Sequence, residues 1–200
     1  LLILLLSVME AMVPQPTDWN PSYSRFHRKP FGDELVYKRL SDLFPEVRTI
    51  SDPLYSVERQ RAIEDVWNEA VNHVFINMTF SPDITSTEHL LDLVSWGDHA
   101  FIAADMIGGP FADSLHLDMD MKPWMGTEST SDIRAIGEPR IVEGVFRYAR
   151  NFTGAYFTNY DTSRTRVLAV DGSANPVLLQ MAWGEGRIVL CSTPMALTNY

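Results

Sequence analysis

The chain has 200 residues, 46% of them hydrophobic, and a formal net charge of −10 at pH 7. This length supports one substantial hydrophobic core, so a single domain is expected. The negative charge disfavours nucleic acid or an anionic membrane surface as the main partner, because either would be repelled. The one cysteine, Cys191, excludes an intrachain disulfide and a thiolate zinc site.

The chain begins with an aliphatic run, Leu1 to Leu6, and stays largely apolar as far as Val13. A run of about 13 residues is too short to cross a bilayer, which takes roughly 20. The pattern predicts the end of a truncated transmembrane helix over residues 1–13, followed by one α/β domain over residues 14–200. A core helix and a cleaved signal peptide are the alternatives, but six large aliphatics leave no polar face and no small-residue cleavage site follows.

Two helices are predicted before the centre of the chain. The first opens at Pro30, where Pro and acidic residues suit the free N–H groups of a first helical turn, and it stops at Pro45. The second covers Val57 to Asn72, where apolar residues recur at helical spacing. This second helix leads directly into the strand that follows.

The centre of the chain predicts a strand, a helix and a second strand. His73–Phe80 is an apolar run that ends at a Ser-Pro-Asp loop, as expected of a buried strand. Thr85 stands three residues ahead of Glu88, which predicts a capping box for a helix over Ser86–Trp96. Ala100–Ala104 is the second apolar strand. Two such strands joined by a helix predict a right-handed crossover, so they should be adjacent and parallel.

After Asp105 the sequence favours exposed and antiparallel strands. Residues 115–121 alternate apolar and polar side chains, so the set of His116, Asp118 and Asp120 fits a solvated strand face better than a metal site. Residues 124–140 predict a long surface loop. Five short runs separated by turn residues then predict antiparallel strands: Val142–Tyr148, Ala155–Tyr160, Thr165–Val170, Val177–Trp183 and Arg187–Ser192.

Several stretches, in this order along the chain, carry a resemblance to a known family. They resemble the bacterial membrane-anchored proteins grouped as domain of unknown function 4350, which are related to the class I glutamine amidotransferase-like fold. The resemblance implies a flavodoxin-like, three-layer α/β sandwich with a partly parallel sheet and an antiparallel carboxy-terminal part. It also implies a location at the bacterial inner membrane, with the domain on the extracytoplasmic side, and no assigned reaction. The stretches are Asp18–Ser24, Pro30–Gly32, Val74–Asn77, Gly97–Ala103, Gly184–Gly186 and Ser192–Tyr200.

The motifs of a working enzyme are missing from the sequence. An amidotransferase places a nucleophilic Cys on a tight strand-to-helix turn, with a downstream His oriented by an acid. Neither loop after the two central strands contains Cys, and Cys191 lies in the last apolar strand, where it fits a buried hydrophobe. A Gly-x-Ser-x-Gly elbow is absent, and the five histidines show no metal-ligand spacing. We therefore expect no catalytic residue, metal or cofactor.

A binding site is better supported, because ligands of open α/β sheets lie beyond the carboxyl ends of the parallel strands. Each polar residue there could instead serve only to hydrogen-bond neighbouring backbone. We expect a non-catalytic, membrane-tethered sensor or interaction domain for an unknown protein or small molecule. The alternative is a degenerate amidotransferase-like hydrolase that acts at the same cleft. The candidate ligand contacts are Phe31, Gly32, Asn77, Thr79, Asp105, Ser192, Thr193 and Asn199.

Overall fold

The computed structural model describes residues 17–56, 70–122, 131–136, 144–148 and 154–199. Within these ranges the chain forms α-helices, β-strands and one 3-10 turn, Pro194–Leu197. The helices are α1 (Glu34–Leu43), α2 (Ile84–Ser95) and α3 (Gly109–Leu115). The strands are β1 (Asn72–Phe80), β2 (His99–Ile107), β3 (Asp118–Met121), β4 (Ser131–Ala135), β5 (Val145–Tyr148), β6 (Ala155–Asn159), β7 (Thr165–Asp171), β8 (Pro176–Trp183) and β9 (Gly186–Cys191).

Seven strands form one mixed sheet in the order β1-β2-β9-β8-β7-β4-β5, and β3 pairs with β6 in a separate antiparallel ribbon. In the main sheet β2 runs parallel to both β1 and β9, and the other neighbours are antiparallel. The predicted parallel pairing of the two central strands is confirmed, with His73 opposite Ala100 and Asn77 opposite Ala104. The βαβ crossover thus occupies one side of the sheet.

The predicted flavodoxin-like, three-layer α/β sandwich is wrong. The described residues are mostly β, and α1, α2 and α3 have only 10, 12 and 7 residues. That is too little helix to cover both faces of a seven-stranded sheet, and four of its six strand pairings are antiparallel. Short turns in the second half of the chain favour β-hairpins. Antiparallel strand pairs therefore outnumber the parallel pairs in the sheet, although β1 and β2 are joined by a parallel crossover. The predicted helix over Val57–Asn72 lies largely outside the described residues.

The membrane predictions also require correction. Within the described ranges, no helix combines the length and apolar character needed to cross a membrane. The helix stub predicted over residues 1–13 lies outside those ranges. The predicted inner-membrane location rested on that helix, and the described residues do not support it.

The main sheet has two unlike faces, because successive side chains of a strand point to opposite sides. One face, here called face A, carries Ile102 opposite Leu190, and both are fully buried together with side chains of α2 and α3. The other, face B, carries Ala103 opposite Cys191. Asp105 lies two residues beyond Ala103 on β2 and therefore also belongs to face B.

Helix α2 begins earlier than the sequence predicted. Its N-cap is Asp83, whose carboxylate accepts hydrogen bonds from the Ser86 backbone N–H and from the Ser86 hydroxyl, both at 2.9 Å. Thr85 consequently lies inside the helix, so the predicted capping box with Glu88 is wrong. The Asp83 carboxylate, two residues before Thr85, accepts a hydrogen bond from an N–H group of the first helical turn that has no partner within the helix.

Strand β4 lies within residues 124–140, which were predicted to be a loop. Its sequence, Ser-Asp-Ile-Arg-Ala, is mostly polar and short, although Ile133 is buried and the neighbouring Arg134 is exposed. Backbone pairing with β5 and β7 makes it a strand. A polar strand of this kind is set by its neighbours rather than by its own propensity.

The amino-terminal ends of the parallel strands are closed by a buried pair. His73 Nε2 lies 2.8 Å from Asp98 Oδ2, and the Asp98 Oδ1 atom accepts a hydrogen bond from the Val71 N–H at 2.9 Å. Gly186 packs against the same turn, where an added Cβ would lie 2.0 Å from the Asp98 carbonyl oxygen and 2.3 Å from that of Val94. Only glycine lets β9 approach the end of α2 this closely.

Gly186→Ala should therefore destabilise the domain by about 2 kcal/mol or more, because backbone oxygens cannot move aside without shifting α2. Urea unfolding measures the change. Gly172→Ala is the matched control, since its Cβ would lie 3.9 Å from the nearest atom, the Cβ of Asp132, and it should cost no more than about 0.5 kcal/mol. Equal unfolding midpoints for the two variants would contradict this account of the turn.

Candidate functional site

The eight predicted ligand contacts do not meet in one cleft. Asn77 lies opposite Ala104 and Thr79 opposite Met106, so both belong to face A. Asp105 is on face B. Successive side chains of a strand point to opposite faces of the sheet. Asp105, which lies between Ala104 and Met106 on β2, therefore points to the opposite face from Asn77 and Thr79.

Ser192 has a structural role in the core. It is fully buried, its hydroxyl donates to the Ala155 carbonyl at 2.7 Å, and its N–H donates to the Val177 carbonyl at 2.9 Å. These bonds hold the end of β9 against β6 and β8. Ser192 has no exposed atom with which to contact a ligand.

Phe31 and Gly32 belong to one loop, residues 22–33, here called the Tyr23 loop. Asn199 holds the carboxy-terminal side of this loop: its N–H donates to the Gly32 carbonyl at 2.8 Å and its Nδ2 to the His27 carbonyl at 2.7 Å. Its Oδ1 accepts from the Leu35 N–H at 2.8 Å. Phe31, Gly32 and Asn199, which were predicted to contact a ligand, therefore belong to the structure of the loop. Both polar atoms of the Asn199 side chain are already hydrogen-bonded.

The Tyr23 loop places a phenol on face B. The Tyr23 hydroxyl donates to Asp105 Oδ2 at 3.0 Å. Burial raises the pKa of Asp105 to about 6, although the hydrogen bond from Tyr23 opposes this rise. Burial, the charge of Asp105, the hydrogen bond to Asp105 and the charge of Asp33 raise the pKa of Tyr23 well above its usual value. The phenol thus remains protonated and remains a donor at neutral pH.

Asp33 is the second acid of this region. The residue is only 5% exposed, it makes no capping bond to α1, and its Oδ1 atom is buried with no hydrogen-bond partner. Burial raises its pKa to about 6. An unpaired buried acceptor costs about 1–3 kcal/mol, so its retention calls for an explanation.

Cys191 and Thr193 complete the group. Cys191 Sγ lies 3.4 Å from Thr193 Oγ1, and both residues are buried. Burial raises the pKa of the Cys191 thiol, Thr193 opposes the rise, and the charge of Asp105 adds to it. The thiol is therefore protonated at neutral pH, and the prediction of a packed strand cysteine is confirmed. Tyr23, Asp33, Asp105, Cys191 and Thr193 are here called the face-B cluster.

Among the described residues, the face-B cluster included, no three or more His, Cys, Asp or Glu side chains form a group that could hold a metal ion. The acids of the predicted half-exposed strand bond across the ribbon instead. Asp118 accepts from Asn159 Nδ2 at 3.1 Å, and Asp120 accepts from the Tyr156 hydroxyl at 3.2 Å. These cross-strand bonds stabilise the pairing of β3 with β6.

A surface pocket of about 390 Å³ lies next to the Tyr23 loop. Its charged side chains already pair with one another, since Glu34 bonds Arg28 at 3.0 Å and Lys38 at 2.8 Å. Leu35 and Asn199 complete the lining. The pocket therefore offers an incoming ligand little unpaired charge.

Sequence reasoning placed Asp105 and Thr193 among the candidate ligand contacts but did not include Tyr23 or Asp33. Tyr23 lies 82 residues from Asp105 in the chain, and only the fold joins them. The available signal was the stretch Asp18–Ser24, whose aromatic and polar residues have no strand or helix period. Asp33 looked like a helix-dipole residue, and its burial could not be read from sequence.

No family model matches this chain, and no curated protein matches it. The mmIFT52 N-terminal domain is similar in structure, with a TM-score of 0.55 and 11% identity over 83% of this chain and 80% of that domain. At that identity the likeness concerns the fold alone. Weaker alignments, with TM-scores of 0.43 and 0.42, involve the β-galactosidase from Bacillus circulans sp. alkalophilus and the exo-β-1,4-mannosidase Op5Man5 from Opitutaceae bacterium strain TAV5.

The two glycosidase alignments show 14% and 15% identity and cover 66% and 62% of this chain. They cover only 22% and 21% of the enzymes, so the chain spans about a fifth of their length.

Cys191 provides a direct check of the site. In the native protein a maleimide should label it roughly 100-fold more slowly than in urea, as expected of a thiol that reacts only after local opening. Mass spectrometry follows the labelling. The control is an exposed thiol, Ser173→Cys in a Cys191→Ala background, which should react quickly in both states. Native labelling of Cys191 at the control rate would overturn the assignment of a buried, protonated thiol.

Proposed function

We propose that this chain is a non-catalytic binding domain, a sensor or an interaction module, with its ligand site at the face-B cluster. One observation carries the proposal: the Oδ1 atom of Asp33 is buried without a hydrogen-bond partner, and Asp33 is close enough to Tyr23 to raise the pKa of its phenol. Buried groups that lack a partner and have a perturbed pKa are concentrated at functional sites. A ligand donor at Asp33 would satisfy this atom.

The charges of the cluster favour a hydrogen-bond donor or a cation as the ligand. Asp33 and Asp105 are acceptors when ionised, and within the described ranges no ion pair neutralises either of them. The net charge of −10 also attracts cations to the protein as a whole. The ligand class that fits is a small molecule or peptide side chain with an ammonium or guanidinium group.

The same chemistry argues for binding rather than nucleophilic catalysis. The Cys191 thiol and the Tyr23 phenol both have a raised pKa, so both are protonated at neutral pH. An activated nucleophile requires the opposite shift or an adjacent base. Asp105 accepts a hydrogen bond from the Tyr23 hydroxyl, but with a pKa of about 6 the Asp105 carboxylate is too weak a base to deprotonate a phenol.

The experiment is a thermal-shift and calorimetric titration of the full chain with agmatine and cadaverine at pH 5 and pH 7. We expect an affinity that is higher at pH 7, because ionisation of acids with a pKa of about 6 creates the negative charge that binds a cation. Asp33→Asn should weaken binding about tenfold or more. Asp113→Asn, an exposed acid on α3, is the control and should bind like the wild type.

Equal affinities at the two pH values, or an Asp33→Asn variant that binds as tightly as the Asp113→Asn control, would overturn the proposal.

A further inference from the structure

We propose that strand β1 is an interaction surface, and that its partner is the same strand of a second copy of this chain. β1 stands at one end of the main sheet, with β2 as its neighbour on one side, and the described part of the chain places no strand on the other side. An open strand edge pairs readily with another extended strand. The inference does not depend on the face-B cluster being a ligand site.

The backbone at the start of β1 shows which groups are directed toward β2. Val71, immediately before the strand, donates its N–H to Asp98 Oδ1 at 2.9 Å, and its carbonyl accepts from the His99 N–H at 2.9 Å. Both groups of Val71 therefore face β2. The backbone groups of successive strand residues point to opposite sides, so those of every second residue from Asn72 onward point away from β2.

Val74, Ile76 and Met78 thus direct their N–H and carbonyl groups to the outer edge of the sheet. The Met78 N–H donates to the side chain of Asn77, Oδ1, at 2.8 Å, as expected of a donor with no strand beside it. Asn77 is exposed, so its side chain can return to water when a strand takes its place. The edge therefore offers donors and acceptors to an incoming strand.

β1 lacks the features that keep natural strand edges from pairing. Its nine residues, Asn72–Phe80, include no Asp, Glu, Lys, Arg or Pro. The edge strand β5 has four residues and carries Arg147, which bonds Asp132 at 2.9 and 3.2 Å. Strand β3 also has four residues and carries Asp118 and Asp120. Short, charged edges resist strand addition, so β1 is the edge suited to it.

The sequence of β1 matches itself in the antiparallel direction. With a twofold axis at Ile76, this residue faces its own copy, and Val74 faces the copy of Met78. Ile76 lies opposite Ala103, so these apolar pairs fall on face B, and the outward backbone groups of all three residues meet. Because the strand carries no Asp, Glu, Lys or Arg, pairing with an identical strand brings no like charges together. This favours a second copy over a charged segment of another protein.

The contact is small, so the association should be weak. A stable interface buries roughly 800 Å² on each partner, more than a single strand edge offers. Each copy also has a net charge of −10, which repels the other copy. We expect a monomer at about 1 μM and a dimer at about 300 μM. Association should be about threefold tighter in about 300 mM salt than in about 50 mM, because salt screens the repulsion.

Sedimentation velocity of the full chain measures the association, and two methionine variants locate it. Met78 and Met106 are 50% and 54% exposed, but Met78 is on the edge strand β1, whereas Met106 is on β2, inside the sheet. Met78→Lys should weaken dimerisation about tenfold or more, because it places a cation at the edge of each pairing strand. Met106→Lys is the matched control and should associate as the wild type does.

Hydrogen exchange of single amides, followed by NMR, tests the pairing itself. When the concentration rises from about 30 μM to about 300 μM, exchange of the Val74 and Ile76 N–H groups should slow several-fold. The N–H groups of His73 and Phe75 face β2 and should not change. Association through another surface does not produce this alternation.

A chain that stays monomeric at about 300 μM would overturn the proposal. The same holds for a Met78→Lys variant that associates as tightly as Met106→Lys, or for equal slowing of all four amides. Misfolding of Met78→Lys would appear as a lowered melting temperature, and the alternation in the wild type then decides the matter. A dimer with these properties that does not bind agmatine would reject the proposed function alone.

Discussion

The parallel pairing of β2 with both β1 and β9 is the constraint on which the rest of the structure depends. It brings the carboxyl ends of three strands to one edge of the sheet, and its register sets Ala103 opposite Cys191. Asp105 and the Cys191 thiol consequently share face B, whereas Ile102 and Leu190 enter the core on face A. A shift of one residue in this register would exchange the two faces.

The face-B cluster places two carboxyl groups in a partly apolar setting in a protein that is already negatively charged. Asp105 is stabilised by the hydrogen bond from Tyr23, while Asp33 retains an acceptor atom without a partner. The surrounding loop tolerates this because its own hydrogen bonds, and those from Asn199, hold it independently of the acids.

Most individual strands of the chain were predictable from the sequence, but the fold class that they build was not. The crossover from β1 to β2 and the strands β7, β8 and β9 follow from apolar runs and turn residues, and all are present. The α/β class failed because it required helices on both faces, and β4 was missed because its side chains are mostly polar. Asp83 replaced the expected cap because it lay two residues earlier.

The sequence by itself determined which residues alternate within each strand, the apolar core of face A and the burial of Cys191. Those properties depend on side chains near one another in the chain. Tertiary structure alone decided that Asp105 and Thr193 belong with Tyr23, that Asn77 and Thr79 point away, and that Asn199 holds a loop. The alternation of side chains along one strand is a local property of the sequence. The register between neighbouring strands, and the contact of Tyr23 with Asp105, 82 residues away in the chain, arise only when the strands pair.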